Sequence, residues 1–137
     1  HAAKVAQAYD FIMEKPGQFQ ERIVEGAGNV SGGQKQRLSI ARALVRHADI
    51  YIYDDSFSAL DFRTDAKLRK ELKKEMTDEI VLIVAQRVST IMDADQIIVL
   101  DEGKVVGKGT HKELLKTCGV YHEIAASQLS EEELAYE

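Results

Sequence analysis

Two stretches of this chain carry residue types that suit phosphate chemistry. The first is Ser31-Gly32-Gly33, followed at once by a long helical pattern. A serine is a good N-cap, because its hydroxyl accepts a hydrogen bond from an orphan amide of the first turn. Glycines without a Cβ allow close approach to their backbone. The free amides and the positive end of the helix dipole then favour an anion. An ordinary capped helix after a glycine-containing loop fits the same three residues. The second stretch is Ile50-Tyr51-Ile52-Tyr53-Asp54-Asp55, an apolar run ending in two carboxylates. Ligands of open α/β sheets sit at the carboxyl ends of strands, which is where this run would place Asp54.

Taken together, the strings are more specific than either alone. Ser31-Gly32-Gly33-Gln34-Lys35-Gln36-Arg37-Leu38-Ser39-Ile40-Ala41-Arg42-Ala43-Leu44 resembles the signature motif of ATP-binding cassette (ABC) ATPases, and Asp54 resembles their Walker B aspartate. Ser58-Ala59-Leu60-Asp61 resembles the D-loop. The resemblance covers nearly the whole chain. It implies a P-loop NTPase-like α/β fold, with ATP and Mg²⁺ as cofactors. No Gly-x-x-x-x-Gly-Lys-Ser/Thr string is present. The resemblance therefore implies the C-terminal part of a nucleotide-binding domain, with its Walker A half missing. On that reading residues 1–47 contribute to the helical subdomain, 48–128 to the RecA-like core and 129–137 form an acidic tail. Glu25 takes the place of the glutamate that contacts coupling helices in exporters, or is simply a solvated loop carboxylate.

Two positions depart from the family pattern. Asp55 stands where a competent cassette carries glutamate, which polarises the attacking water. Aspartate is one methylene shorter, and such misplacement can cost on the order of 10²-fold. Gln86, in Ala85-Gln86-Arg87-Val88-Ser89-Thr90, stands where the family has the H-loop histidine. Glutamine donates a hydrogen bond but stays neutral. Both changes together resemble the degenerate half of a heterodimeric ABC exporter. There Ser31, Gly32, Gly33 and Gln34 complete the partner's ATP site, while Asp54, Asp55 and Gln86 line a slow site. The D-loop, Ser58, Ala59, Leu60 and Asp61, links the two.

The implied partners are a second half-transporter or nucleotide-binding domain and the coupling helices of a transmembrane part, at the cytoplasmic face of the membrane. The isolated fragment is expected to be inactive. The alternatives are a DNA-associated ABC ATPase of the chromosome-maintenance or repair type, and an inactive module that only binds.

Composition fits one globular unit: 137 residues, 45% hydrophobic and 30% charged. A net charge of -5 argues against nucleic acid or an anionic membrane as partner. The lone Cys118 excludes an internal disulfide and reads as a small buried residue. Scattered histidines give no metal spacing, and His111 reads as exposed. The tyrosines read as packing residues.

The elements that must position these groups alternate between periods. Apolar residues at helical spacing predict a helix over 2–14, ended by Pro16-Gly17. A second helix runs over 31–47, with a stripe of Leu38, Ala41, Leu44 and Val45. Arg37, Arg42 and Arg46 read as a solvated or salt-bridged face. Buried strands are expected at 48–54 and 80–85. Between them lies a helix over 62–76, with Asp61 as N-cap. A short helical turn over 90–94 leads to a strand pair at 96–100 and 104–108 around Asp101-Glu102-Gly103. A helix capped by Thr110 with Glu113, and a last helix over 121–128, complete the chain. In the implied fold, the missing strand would leave open edges on the strands at 80–85 and 96–100.

Overall fold

The computed structural model describes residues 1–130 and residue 134. The chain divides into two compact units, residues 1–84 and residues 85 onward.

The first unit begins with two short helices, α1 (Ala2–Val5) and α2 (Tyr9–Met13), where one helix is expected from the sequence. The break is a Schellman closure. Gln7 takes a left-handed φ of 56°, its N–H donates to Lys4 O, and the Ala8 N–H reaches back to Ala3 O at 2.7 Å. The usual residue at such a closure is glycine, so glutamine hid it. The Gln7 carbonyl is then held from outside, accepting from Arg37 Nη1 at 2.6 Å.

A loop with two short 3-10 turns, Gln18–Gln20 and Glu25–Ala27, leads to α3 (Gly32–Leu44). Ile40, Ala41 and Leu44 bury its inner face. Val45, expected on that stripe, is the C-cap and lies exposed. Arg37 also departs from expectation. It is half-buried, its guanidinium stacks 4.8 Å over the Phe11 ring, and its Nε donates to Gly33 O.

Strand β1 (Ile50–Asp54) pairs in parallel with β2 (Ile80–Val84), in register from Ile50 opposite Ile80 to Asp54 opposite Val84. Helix α4 (Phe62–Glu75) connects them and turns Leu68 and Leu72 into the core. Its buried Asp65 accepts from Arg69 Nε, one turn on. The strands are not buried on both faces, as a continuous apolar run suggests. Tyr51 and Tyr53 are buried beside Phe57, whereas Ile50 and Ile52 on the opposite face are exposed. In β2, Ile80, Val81, Leu82 and Val84 are all exposed. The reason is the sheet's width: among the described residues this sheet has two strands, so one face and two edges are uncovered.

In the second unit a short α5 (Val88–Ile91) precedes an antiparallel hairpin, β3 (Ile97–Asp101) and β4 (Lys104–Gly109). Its two-residue turn, Glu102-Gly103, has φ of 46° and 75°. Positive φ at both positions matches the twist of the flanking strands. A bulge falls at Val99/Leu100. Helix α6 (His111–Thr117) follows a complete capping box. Thr110 Oγ1 accepts from the Glu113 N–H, and Glu113 Oε2 accepts from the Thr110 N–H at 2.8 Å. Helix α7 (Gly119–Ala126) packs beside α6.

A Cβ on Gly107 would lie 2.8 Å from Cys118 Sγ, so this glycine lets the α6–α7 corner sit against β4. Cys118 is buried, as expected. His111 is buried too, against expectation: its ring meets Tyr121 edge-on and Nδ1 lies 2.8 Å from the Tyr121 hydroxyl. It is the first residue of α6 and is covered by Tyr121 of α7, ten residues on, so its neighbours Thr110 and Lys112 do not show its burial. The predicted acidic tail falls largely outside the described residues.

Candidate functional site

Helix α3 starts as its first residues dictate. Ser31 has an extended backbone, its Oγ accepts from the Gln34 N–H at 3.2 Å, and Gln34 Oε1 accepts from the Ser31 N–H at 3.0 Å. This capping box engages both polar side chains that the sequence assigns to phosphate. The Gly32 and Gly33 amides lead the helix and have no carbonyl one turn back to bind. Ser31 and Gly32 are exposed.

The two glycines do different work. A Cβ on Gly32 would only touch Ala59 Cβ at 3.6 Å. A Cβ on Gly33 would stand 2.9 Å from Ala59 O. Gly33 therefore makes room for the protein's own backbone rather than for a ligand.

The carboxylates lie where β1 ends. Asp54 is the last strand residue and is exposed. Asp55 is exposed as well and adopts a left-handed φ of 49°. Few residues other than glycine take this conformation readily, and aspartate is among those that do. Its N–H donates to Val84 O at 3.0 Å, continuing the parallel ladder one step past the strand.

Residues 58–61 form the turn into α4. Leu60 is buried and its N–H donates to Phe57 O. Asp61 caps α4 with both oxygens: Oδ1 accepts from the Thr64 N–H at 2.9 Å and Oδ2 from the Thr64 hydroxyl at 2.7 Å. These bonds hold its carboxyl below the usual carboxylate range. Burial pulls the Arg37 guanidinium down from its ordinary value, and the Asp61 charge opposes this.

The structure thus brings Ser31, Gly32, Gly33 and Gln34 into one unit with Asp54, Asp55 and residues 58–61. Gln86 belongs to the other unit, between β2 and α5, and is exposed. Glu25 is exposed in its 3-10 turn.

Two residues of these sites escaped the sequence reading, and both are glutamines that bind backbone. Gln36 Nε2 donates to Asp55 O and to Ser58 Oγ, each at 3.0 Å, and its Oε1 accepts from the Ala59 N–H at 2.9 Å. In the second unit, Gln128 Nε2 donates to Gln86 O at 2.9 Å, and its Oε1 accepts from the Val88 N–H at 2.9 Å. Helical spacing held a signal for the first. Gln36 shares a helix face with Gly33 and Ile40, so it lies between a close backbone approach and the core. No local pattern marks Gln128, whose contact spans 42 residues.

Known proteins supply the comparison. Residues 3–58 match the family model described as ABC transporter. An uncharacterised ABC transporter ATP-binding protein of Mycobacterium tuberculosis is 49% identical over 127 residues, 93% of this chain and 22% of the relative. The ATP-dependent lipid A-core flippase of Photobacterium profundum is 42% identical over 130 residues, 95% of this chain and 22% of the relative. A solved structure of a bacterial Atm1-family ABC exporter with ATP bound superposes with a TM-score of 0.90 at 38% identity, covering 95% of this chain and 23% of that one. The chain thus spans about a fifth of the length of these relatives.

Proposed function

Because the chain belongs to the ABC transporter nucleotide-binding domains and is homologous to those of exporters, we propose that it works as part of the ATP-driven motor of an exporter, finishing a partner's nucleotide site while its own site turns over slowly. The observation that carries this is the start of α3. A serine-capped helix of 13 residues presents exposed Ser31 and Gly32 with leading amides unsatisfied inside the helix. That end suits the terminal phosphates of an ATP brought by an opposing domain. For Ser31 and Gln34 to join in, they must exchange part of their mutual capping box for the nucleotide.

The chain's own carboxylates fit the second half of the reading. Asp54 and Asp55 are adjacent, exposed oxygen donors at a strand's carboxyl end. Mg²⁺ accepts one or two carboxylates and completes its shell with water and phosphate oxygens. Asp54 would hold that ion through water, and the bound ion would offset phosphate charge. Asp55 would orient the attacking water from a shorter side chain, and Gln86 would donate to phosphate without adding charge. The partners on this reading are a second nucleotide-binding domain and a membrane part on whose cytoplasmic side the domain works. Residues 1–47 would be part of the helical subdomain, with Glu25 towards the coupling helices.

The test is ATP turnover in the full-length transporter carrying this chain, reconstituted with its partner. Ser31→Arg fills the helix end with a long side chain and is expected to abolish most turnover. Asp55→Ala is expected to leave most of it. Full turnover in Ser31→Arg removes the trans role, and loss of turnover in Asp55→Ala removes the slow-site assignment.

A further inference from the structure

We propose that Gln36 is a positioning residue that locks the catalytic-carboxylate position and the following turn to the start of α3, so that the two move as one body. The proposal rests on the functional reading above, since it concerns the same site.

The geometry is a closed network. One side-chain amide has two N–H bonds and one carbonyl oxygen, and Gln36 uses all three. Nε2 donates to Asp55 O and Ser58 Oγ, each at 3.0 Å, and Oε1 accepts from the Ala59 N–H at 2.9 Å. Ser58 Oγ also donates to Asp55 O at 3.1 Å, which closes the ring. The Asp55 peptide is thus held on both sides: Val84 O takes its N–H, and Gln36 and Ser58 take its carbonyl. Asp55 has a φ of 49°, a conformation that its surroundings must maintain. The Gly33 backbone lies so close to Ala59 O that a Cβ there would stand 2.9 Å away. Helix start and turn are therefore in contact and hydrogen-bonded, with no slack between them.

The consequence concerns coupling. On the proposed reading, Gly32 answers to a nucleotide on the partner, while Asp55 serves the chain's own site. A displacement of the α3 start is passed to Asp55 through Gln36 and the Ala59 contact. Without the amide, the Asp55 peptide loses one of the two donors to its carbonyl, and Ala59 loses its acceptor. Nucleotide can still bind, but the α3 start and the turn are less well placed for the reaction in the partner's site.

The experiment compares Gln36→Met and Gln36→Ala in the full-length transporter reconstituted with its partner. Methionine keeps the volume and removes all three bonds. Both variants should lower kcat by about tenfold with KM for ATP within about twofold, because the α3 start that finishes the partner's site loses its anchor to the turn, whereas Asp55→Ala leaves the Gln36 bonds in place and should not. Gln36→Glu keeps the acceptor but sets a carboxylate against Asp55 O, so it should fall as far as methionine. In a full-length protein with unchanged thermal unfolding, hydrogen exchange at the Ala59 amide should rise at least about tenfold in Gln36→Met. A methionine variant that keeps turnover within about twofold overturns the proposal, as does a rise in KM with kcat intact. Should the wild-type transporter itself lack ATP turnover, the functional reading fails on its own, and Ala59 exchange decides the network. Unchanged Ala59 exchange overturns the lock, and raised exchange sustains it.

Discussion

At the scale of single residues, the site is governed by what stands a few ångströms from each group. Gly33 illustrates it. Its missing Cβ is occupied by the approach of Ala59 O, so Gly33→Ala must push residues 58–61 outward or tilt α3. Overpacking of this kind costs about 1–3 kcal/mol. The variant should unfold at correspondingly lower denaturant and lose turnover, whereas Gly32→Ala, meeting only a methyl at 3.6 Å, should unfold close to wild type. Chemical denaturation of the pair checks this.

His111 gives a pH dependence with a definite sign. Burial lowers its pKa from 6.5; Asp93 raises it and Lys112 lowers it further, both more weakly. In the folded state the imidazole therefore resists protonation, while the unfolded chain takes up a proton near pH 6.5. Stability from this group is complete above about pH 6.5 and declines as pH falls towards the folded pKa. The unfolding midpoint should fall between pH 7.5 and 5.5, and His111→Gln should flatten that slope. Equal slopes in the two proteins would remove the assignment.

At the scale of elements, caps decide where helices begin. Ser31, Asp61 and Thr110 were legible as caps because each is a short polar residue directly before a helical pattern, and each accepts the expected amide. Thr110→Ala removes one half of the α6 box and leaves Glu113 without its hydroxyl partner. It should cost about 1 kcal/mol, read as a lower midpoint of unfolding. Other boundaries were not legible. The α1–α2 break depends on a glutamine in the left-handed region, where sequence leads one to expect glycine. The exposure of β1 and β2 is not legible in the sequence for another reason. An apolar run reports what a strand could bury, but exposure depends on which neighbours lie against it. Asp54, Asp55 and the α3 start were legible as candidates because strand-end carboxylates and capped helix starts are local patterns. Gln36 and Gln128 were not, because a side-chain amide that binds distant backbone leaves no local trace.

At the scale of the whole molecule, the chain carries two cores, each closed by its own helices and strands. Among the described residues their sheets are two strands wide, and the β1–β2 pair shows a largely exposed apolar β2. Unpaired strands of this kind invite association with other extended chains. The same two-core arrangement distributes the chain's chromophores. There is no tryptophan. Tyr51 and Tyr53 are buried in the first unit and Tyr121 in the second. Burial pushes the Tyr53 and Tyr121 hydroxyls up, most of all Tyr53, whose Oη also donates to Met76 Sδ. In alkali, then, the near-ultraviolet phenolate band should grow in stages, with the Tyr53 and Tyr121 contributions arriving only as their own cores give way. Each core thus carries one late-forming optical label, Tyr53 in the first and Tyr121 in the second, and phenylalanine at either position would remove that label without touching its counterpart.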